Sequence, residues 1–348
     1  MSALQGLTTV ASYGRKGSSA RVRIYEWLDF LGLEARKYTY TDQGDNSIST
    51  LGRNLDKAVG SEIALRRLAS GRIPGTLLMS REASPLSNGR LEAKLLQRAE
   101  LSVYDFDDAI FHSAAPFPYS LWPKDKVWRR SVEAADRVIA GNDYLAEEAS
   151  KFSRNVTMIP SCVNPDLYPK KSNYALNEVP TLVWLGSPAT EQFLPPIAEA
   201  LLRVHRTRPI RLRVVSAGER SLGPLDAIVE RVQWSEQGFA GELCRADLGI
   251  MPLADDPFAR GKCAYKLLQY GAAALPVLGS PVGTNRSVLS AMGAEAPSTT
   301  DEWEASLHGF LDSSEPERAA LGARAYTSVT EGFSFQAWRN EWMKALAA

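Results

Sequence analysis

The chain has 348 residues, 45% of them apolar and 23% charged, an ordinary globular composition whose length predicts two domains of about 150–180 residues. Its 40 Lys and Arg balance its 40 Asp and Glu, so no global field favours nucleic acid or an anionic membrane. Cys162, Cys244 and Cys263 are far apart and lack zinc spacing; this predicts reduced thiols and no metal, and with no secretory leader and no long apolar run, a cytoplasmic protein.

In chain order, residues 7–12 (LTTVAS) read as a first strand, 13–19 (YGRKGSS) as a loop, and 20–33 as a helix with apolar residues near a 3.6 period. Strand, glycine-bearing loop and helix open a Rossmann-like unit. Strands at 75–79 and 101–105 flank a helix at 89–99, and strands at 138–140 and 156–159 flank another at 143–152. This alternation implies a parallel sheet covered on both faces. Residues 160–180, rich in Pro, Asn and Lys, have no period. The pattern restarts with strands at 181–185, 211–216, 232–234, 248–251 and 277–279, and helices at 193–207, 263–274, 286–292, 302–311, 315–328 and 335–347. The expected division is 1–165 with 331–348 as one domain, 166–180 as a linker, and 181–330 as the other. Two such halves would leave a cleft at their strand C-termini, where open α/β sheets bind ligands.

Chemistry concentrates in two places. In ARGKCAYKLLQYGAAALPV, Arg260 and Lys262 flank a glycine at the mouth of the predicted helix, and Lys266 and Gln269 follow on one side of it. Unsatisfied backbone N–H groups and three cations together make an anion site, the diphosphate of a nucleotide. The competing reading is a solvated basic helix start. Ala272–Ala274 permit close helix–sheet approach and Gly283 a tight turn. Just past the strand at 101–105, Asp107 and Asp108 either orient an acceptor nucleophile, hold a cationic acceptor group, or merely cap a turn. Arg21 and Arg23, two apart, cannot face the same way on a helix.

Lys266-Leu267-Leu268-Gln269-Tyr270 and the following Gly271 to Val277 resemble the K-L-x-E-Y-x-A-x-G-x-P-V signature of family 4 retaining glycosyltransferases, which have the GT-B fold. The resemblance implies two Rossmann-like domains facing a cleft, with a final helix, here around 333–338 (FSFQAW), crossing back to the first. It implies that Gln269, where the family has Glu, binds the donor ribose. Asp256-Pro257-Phe258-Ala259 resembles the family's E-P-F-G, which implies that Asp256 and the backbone at Phe258 contact the donor sugar. Trp234 and Ser235 fall where the family binds the nucleobase; Trp234 is equally readable as core. Gly17 lies in the loop that the family sets against the donor phosphate. Family members take phosphate-binding cations from the loop that reads here Gly186-Ser187-Pro188-Ala189-Thr190; this loop has none, and Arg260 and Lys262 are expected to replace them. Further similarity covers 135–140, 159–164 and 243–252.

The resemblance implies sugar transfer from a nucleoside-diphosphate donor, UDP or GDP, with retention and without a metal, to a small-molecule or glycan acceptor. Inversion, with Asp107 or Asp108 as base, is the alternative within the class. A sugar-nucleotide 2-epimerase shares the architecture and has the Asp107/Asp108 pair as its foothold. A non-catalytic nucleotide-sugar-binding relative is motivated by Gln269 and the uncharged loop. No G-x-G-x-x-G follows any predicted strand, which disfavours a dehydrogenase. Peripheral membrane association is permitted, an integral segment is not.

Overall fold

The computed structural model describes residues 6–41, 46–113, 117 and 119–347. The first five residues, part of the stretch read for a leader, lie outside the described residues. Among the described residues, eleven strands form two parallel sheets. The first contains β1 (Thr8–Ala11), β2 (Arg36–Tyr38), β3 (Ile73–Ser80), β4 (Ala99–Phe106), β5 (Arg137–Ala140) and β6 (Val156–Met158), in the order β2-β1-β3-β4-β5-β6. The second contains β7 (Thr181–Leu185), β8 (Arg211–Ser216), β9 (Val229–Gln233), β10 (Leu248–Met251) and β11 (Val277–Gly279), in the order β11-β10-β7-β8-β9. All strand pairs are parallel, as the alternation with helices requires.

Central strands such as β1 and β7 are buried at every position, because helices cover both faces of each sheet. In the second sheet the pleat sorts alternate residues between two cores. Leu182, Trp184, Leu212 and Val214 face one, with Leu194 and Leu201; Val183, Leu185, Val215 and Met251 face the other, with Leu267 and Tyr270. The helix Tyr265–Ala272 packs close to this second face. A Cβ on Gly271 would meet the Val329 side chain at 2.6 Å, and one on Gly249 would meet the Tyr270 ring at 2.6 Å. The Tyr270 hydroxyl accepts from Leu185 N–H at 2.9 Å and donates to the Ile250 carbonyl at 3.3 Å, which ties β7 to β10.

The chain divides into two compact units: 1–161 with 260–263 and 338–348, and 162–259 with 264–337. The expected linker 166–180 groups with the second unit, which begins at Cys162 and where Lys171 N–H donates to the Ala273 carbonyl at 2.9 Å. The final helix Phe335–Leu346 joins the first unit from Trp338 onward. There Trp342 stacks on Trp27 at 5.0 Å, and Arg137 donates to the carbonyls of Lys344, Ala345 and Ala347, satisfying a helix end that has no intrahelical donors.

Several segments differ from expectation. The helix predicted at 263–274 starts at Tyr265, because Ala264 adopts a left-handed φ of +54° and residues 261–263 are held elsewhere. Helices Ile48–Arg53 and Leu55–Ser70 and the edge strand β2 are additional to the elements read from sequence. Gly283, expected at a tight turn, has φ +52°. Among the described residues, no helix is long and apolar enough to cross a membrane.

Candidate functional site

In the first unit, the C-terminal ends of β1, β3, β4 and β5 carry a buried cluster of charges. A π-helical turn, Arg21–Tyr25, interrupts the first helix and leaves Val22, Arg23, Ile24 and Tyr25 all buried. Arg23, 2% exposed, reaches Asp105 at the end of β4 through Nε (3.1 Å to each oxygen) and Nη2 (2.6 Å), and donates from Nη1 to the Ile159 carbonyl at 2.9 Å. This forked geometry is that of an ionised pair; burial works against the guanidinium charge, but Asp105 more than offsets it and holds Arg23 protonated. Arg21 turns the other way and pairs with Glu26 at 3.2 Å.

One turn of chain further, the two aspartates singled out from the sequence separate in role. Asp108 accepts from Lys262 Nζ at 2.8 Å on Oδ1 and from Arg81 Nη1 at 3.4 Å on Oδ2. Asp107 is held less firmly: its Oδ1 is buried and, among the described residues, accepts no hydrogen bond. Burial first, and the adjacent Asp108 charge second, push the Asp107 carboxyl above the usual carboxylate range, against the pull of Arg81 and Arg23.

Residues 260–263 complete this cluster. Gly261 lies so close to Ala109 that an added Cβ would stand 2.5 Å from the alanine Cβ. The Cys263 thiol donates to the Asp107 carbonyl at 3.2 Å, and burial followed by the Asp107 charge pushes it far above the ordinary thiol range. Asn142 caps the helix Asp143–Ser150 with its Oδ1 and donates from Nδ2 to the Lys262 carbonyl at 3.2 Å. Arg260 is exposed at the end of the short helix Pro257–Arg260. Gly17 precedes the helical residue Ser18; its N–H donates to the Gly14 carbonyl at 2.9 Å, and a Cβ there would strike Tyr13 at 2.4 Å, so loop packing alone accounts for the glycine.

In the second unit the remaining candidates gather around an amide and aromatic rings, with Lys266 and Asp256 as their charged members. Gln269, 5% exposed, donates to the Tyr168 hydroxyl at 3.3 Å. Tyr168 meets the Phe239 ring edge-on at 5.8 Å, and Phe239 stacks against half-buried Trp234 at 6.1 Å. Exposed Ser235 accepts from Gly238 N–H on its Oγ at 3.1 Å, turning the chain into the helix Phe239–Arg245. Lys266 Nζ stands 5.2 Å from the Trp184 ring centroid. Asp256 accepts from Ala259 N–H at 2.8 Å, the bond of a helix cap, and Phe258 beside it is half-buried. In the loop 186–190, Thr190 Oγ1 accepts from Ser187 N–H at 3.2 Å.

The structure thus brings Asp107, Asp108 and Lys262 together, and links Gln269 to Trp234 through two aromatic rings. Sequence reasoning passed over Arg81, Asn142 and the pairing of Arg23 with Asp105. The one available signal for Arg81 was its place two residues past a predicted strand. Among the described residues, no group of three or more His, Cys, Asp or Glu side chains is arranged to hold a metal ion.

No protein-family model and no curated protein matches this sequence. Solved structures do match it, over nearly its whole length. Sucrose-phosphate synthase from Thermosynechococcus elongatus is 15% identical, with a TM-score of 0.69 over 97% of both chains. HepE from Anabaena, in complex with UDP and glucose, is 11% identical, with a TM-score of 0.68 over 98% of this chain and 99% of that one. An E. coli trehalose-6-phosphate protein bound with UDP-2-fluoro glucose is 12% identical, with a TM-score of 0.64 over 98% of both. The class the fold defines is therefore GT-B, two Rossmann-like α/β units in one chain.

Proposed function

We propose that the protein is a cytoplasmic glycosyltransferase that moves a sugar from a nucleoside-diphosphate donor to a small-molecule or glycan acceptor, with retention, without a metal, and in the manner of family 4. What supports the reading is the likeness over nearly the whole chain to structures of which two hold UDP with glucose or a UDP-sugar. The signature around Gln269 agrees with it: a buried amide on the helix Tyr265–Ala272 donates to Tyr168 and suits ribose hydroxyls.

In this reading Lys262, Arg260, Lys266 and the Gly17 loop attend to the diphosphate, whose leaving charge needs cations. Gln269, Trp234 and Ser235 attend to the nucleoside, and Asp256 and Phe258 to the donor sugar. Asp107, whose buried Oδ1 accepts no hydrogen bond among the described residues, is the better candidate to receive one from the acceptor hydroxyl; Asp108 is held by cations.

The test is thermal stabilisation by UDP, GDP and TDP, followed by incubation of the UDP- or GDP-sugar that stabilises most with and without candidate acceptors. One nucleotide should raise Tm, and donor alone should give only slow hydrolysis. Fast turnover of donor alone, or no stabilisation by any nucleotide, defeats the proposal. Lys262→Ala and Arg260→Ala should each weaken UDP much more than uridine; equal losses would remove both residues from the diphosphate.

A further inference from the structure

Arg81 is held in a conformation that a non-glycine residue avoids. Its φ is +61°, in the left-handed region that costs such residues about 1 kcal/mol. Three hydrogen bonds hold it: Glu82 N–H donates to the Ser80 carbonyl at 2.8 Å across Arg81, Arg81 N–H donates to the Asp105 carbonyl at 2.9 Å, and the Arg81 carbonyl accepts from the buried Tyr104 hydroxyl at 2.8 Å. The result is a guanidinium aimed across the strand ends, with Nη1 donating to Ser19 Oγ at 2.9 Å and, over a long 3.4 Å, to Asp108 Oδ2. Among the described residues its Nε and Nη2 make no hydrogen bond, so most of its donors are uncommitted.

Asp108 therefore lies between two cations, Arg81 on one oxygen and Lys262 on the other. A carboxylate bridging Lys and Arg next to a serine hydroxyl marks a donor set that also fits a phosphate oxyanion, which presents more oxygens than a carboxylate and engages an Arg fork more fully. We infer that Arg81, Lys262 and Ser19 form an oxyanion site for a phosphate group, and that Asp108 competes with that phosphate for the two cations. Assigning the phosphate to a nucleotide donor rests on the glycosyltransferase reading above; the site itself does not. Backbone distortion at Arg81 is then the cost of aiming its side chain, and Asp108 sets how tightly the anion is held.

Calorimetric titration with UDP, uridine and inorganic phosphate tests this, using the full chain and Arg81→Gly, Arg81→Lys and Asp108→Asn. Glycine adopts the φ of +61° without strain, which offsets part of the lost Asp108 and Ser19 contacts, so Arg81→Gly should shift Tm by no more than a few degrees. It should nevertheless weaken UDP about tenfold and leave uridine unchanged, the loss expected for one charge-assisted contact. Arg81→Lys should fall between it and the native protein, and Asp108→Asn should tighten UDP severalfold by removing the competitor. An Arg81→Gly protein with native UDP affinity, or one that loses Tm and both ligands together, overturns the inference, as does an Asp108→Asn protein that binds UDP more weakly. If the native protein does not distinguish UDP from uridine, the nucleotide reading fails and inorganic phosphate judges the site: binding that Arg81→Gly abolishes upholds it, and no binding ends it.

Discussion

The candidate residues at the strand ends of the two sheets differ in material. Those of the first unit include the cations Arg23, Arg81 and Lys262 and the carboxylates Asp105, Asp107 and Asp108, all buried or half-buried. Those of the second unit are mainly an amide, hydroxyls and rings, Gln269, Tyr168, Phe239, Trp234 and Trp184, with Lys266 beside Trp184 and one ion pair, Glu191 with Arg231 at 3.2 Å, against Gly218 just past β8. Buried charge is costly unless paired, whereas amides and aromatic rings are placed in a protein interior at little cost. Charge held at such a cost calls for a reason, and within the first unit the pairing is uneven. Asp105 is fully matched by Arg23, Asp108 is shared between two cations, and Asp107 is left with a bare oxygen.

The largest effect should therefore come from the matched pair. Asp105→Asn leaves Arg23 buried without its counterion and should destabilise the protein by about 3–5 kcal/mol, read from urea unfolding. A loss under about 1 kcal/mol would mean that the pair is incidental to stability.

Asp107→Asn, two residues away, should act in the opposite direction. On the proposed reading it removes a buried charge that Arg81 and Arg23 offset only in part and should stabilise by about 1 kcal/mol at pH 7, while transfer activity falls. The sign follows from a folded-state carboxyl titrating above the ordinary range. The native protein carries the whole penalty above the folded value. The penalty shrinks as pH falls from there and is gone below the unfolded value of about 3.9, so the advantage of Asp107→Asn should vanish in acid. An advantage that is constant with pH would assign the gain to packing instead.

The smallest effect belongs to the second unit. On the proposed diphosphate role of Lys266, Lys266→Met should weaken UDP about threefold, and it should lower stability only by about 0.5–1 kcal/mol, the worth of one partly exposed cation–π contact with Trp184. A loss of hundredfold would erase the contrast between the two units.

The alternating architecture was legible because buried parallel strands are continuous apolar runs, as in TLVWL of β7. The helix Leu55–Ser70 was not. It buries Ala58, Leu65 and Ala69 but exposes Leu55, Val59 and Ile63, so apolar residues lie on two sides and no single period emerges. At the site, composition and position single out Asp107, Asp108 and Lys262 one by one. Sequence contains no sign that Lys262 would meet Asp108 across 154 residues, or Arg23 meet Asp105 across 82. Arg81 was hidden most completely, since its backbone conformation is held in part by Asp105 and by the neighbouring Tyr104 side chain.

The π-helical turn at Arg21–Tyr25 works as a phase shifter. It gives the helix one residue more per turn than regular winding, so Arg23 can face the strand ends while Trp27, a few residues on, still faces Trp342. Shortening the turn by one residue would rewind it into an ordinary helix, and the Asp105 pairing and the Trp342 stack could no longer both keep their present geometry. The anchor for the chain's last helix and the counterion of Asp105 therefore depend on the same surplus residue.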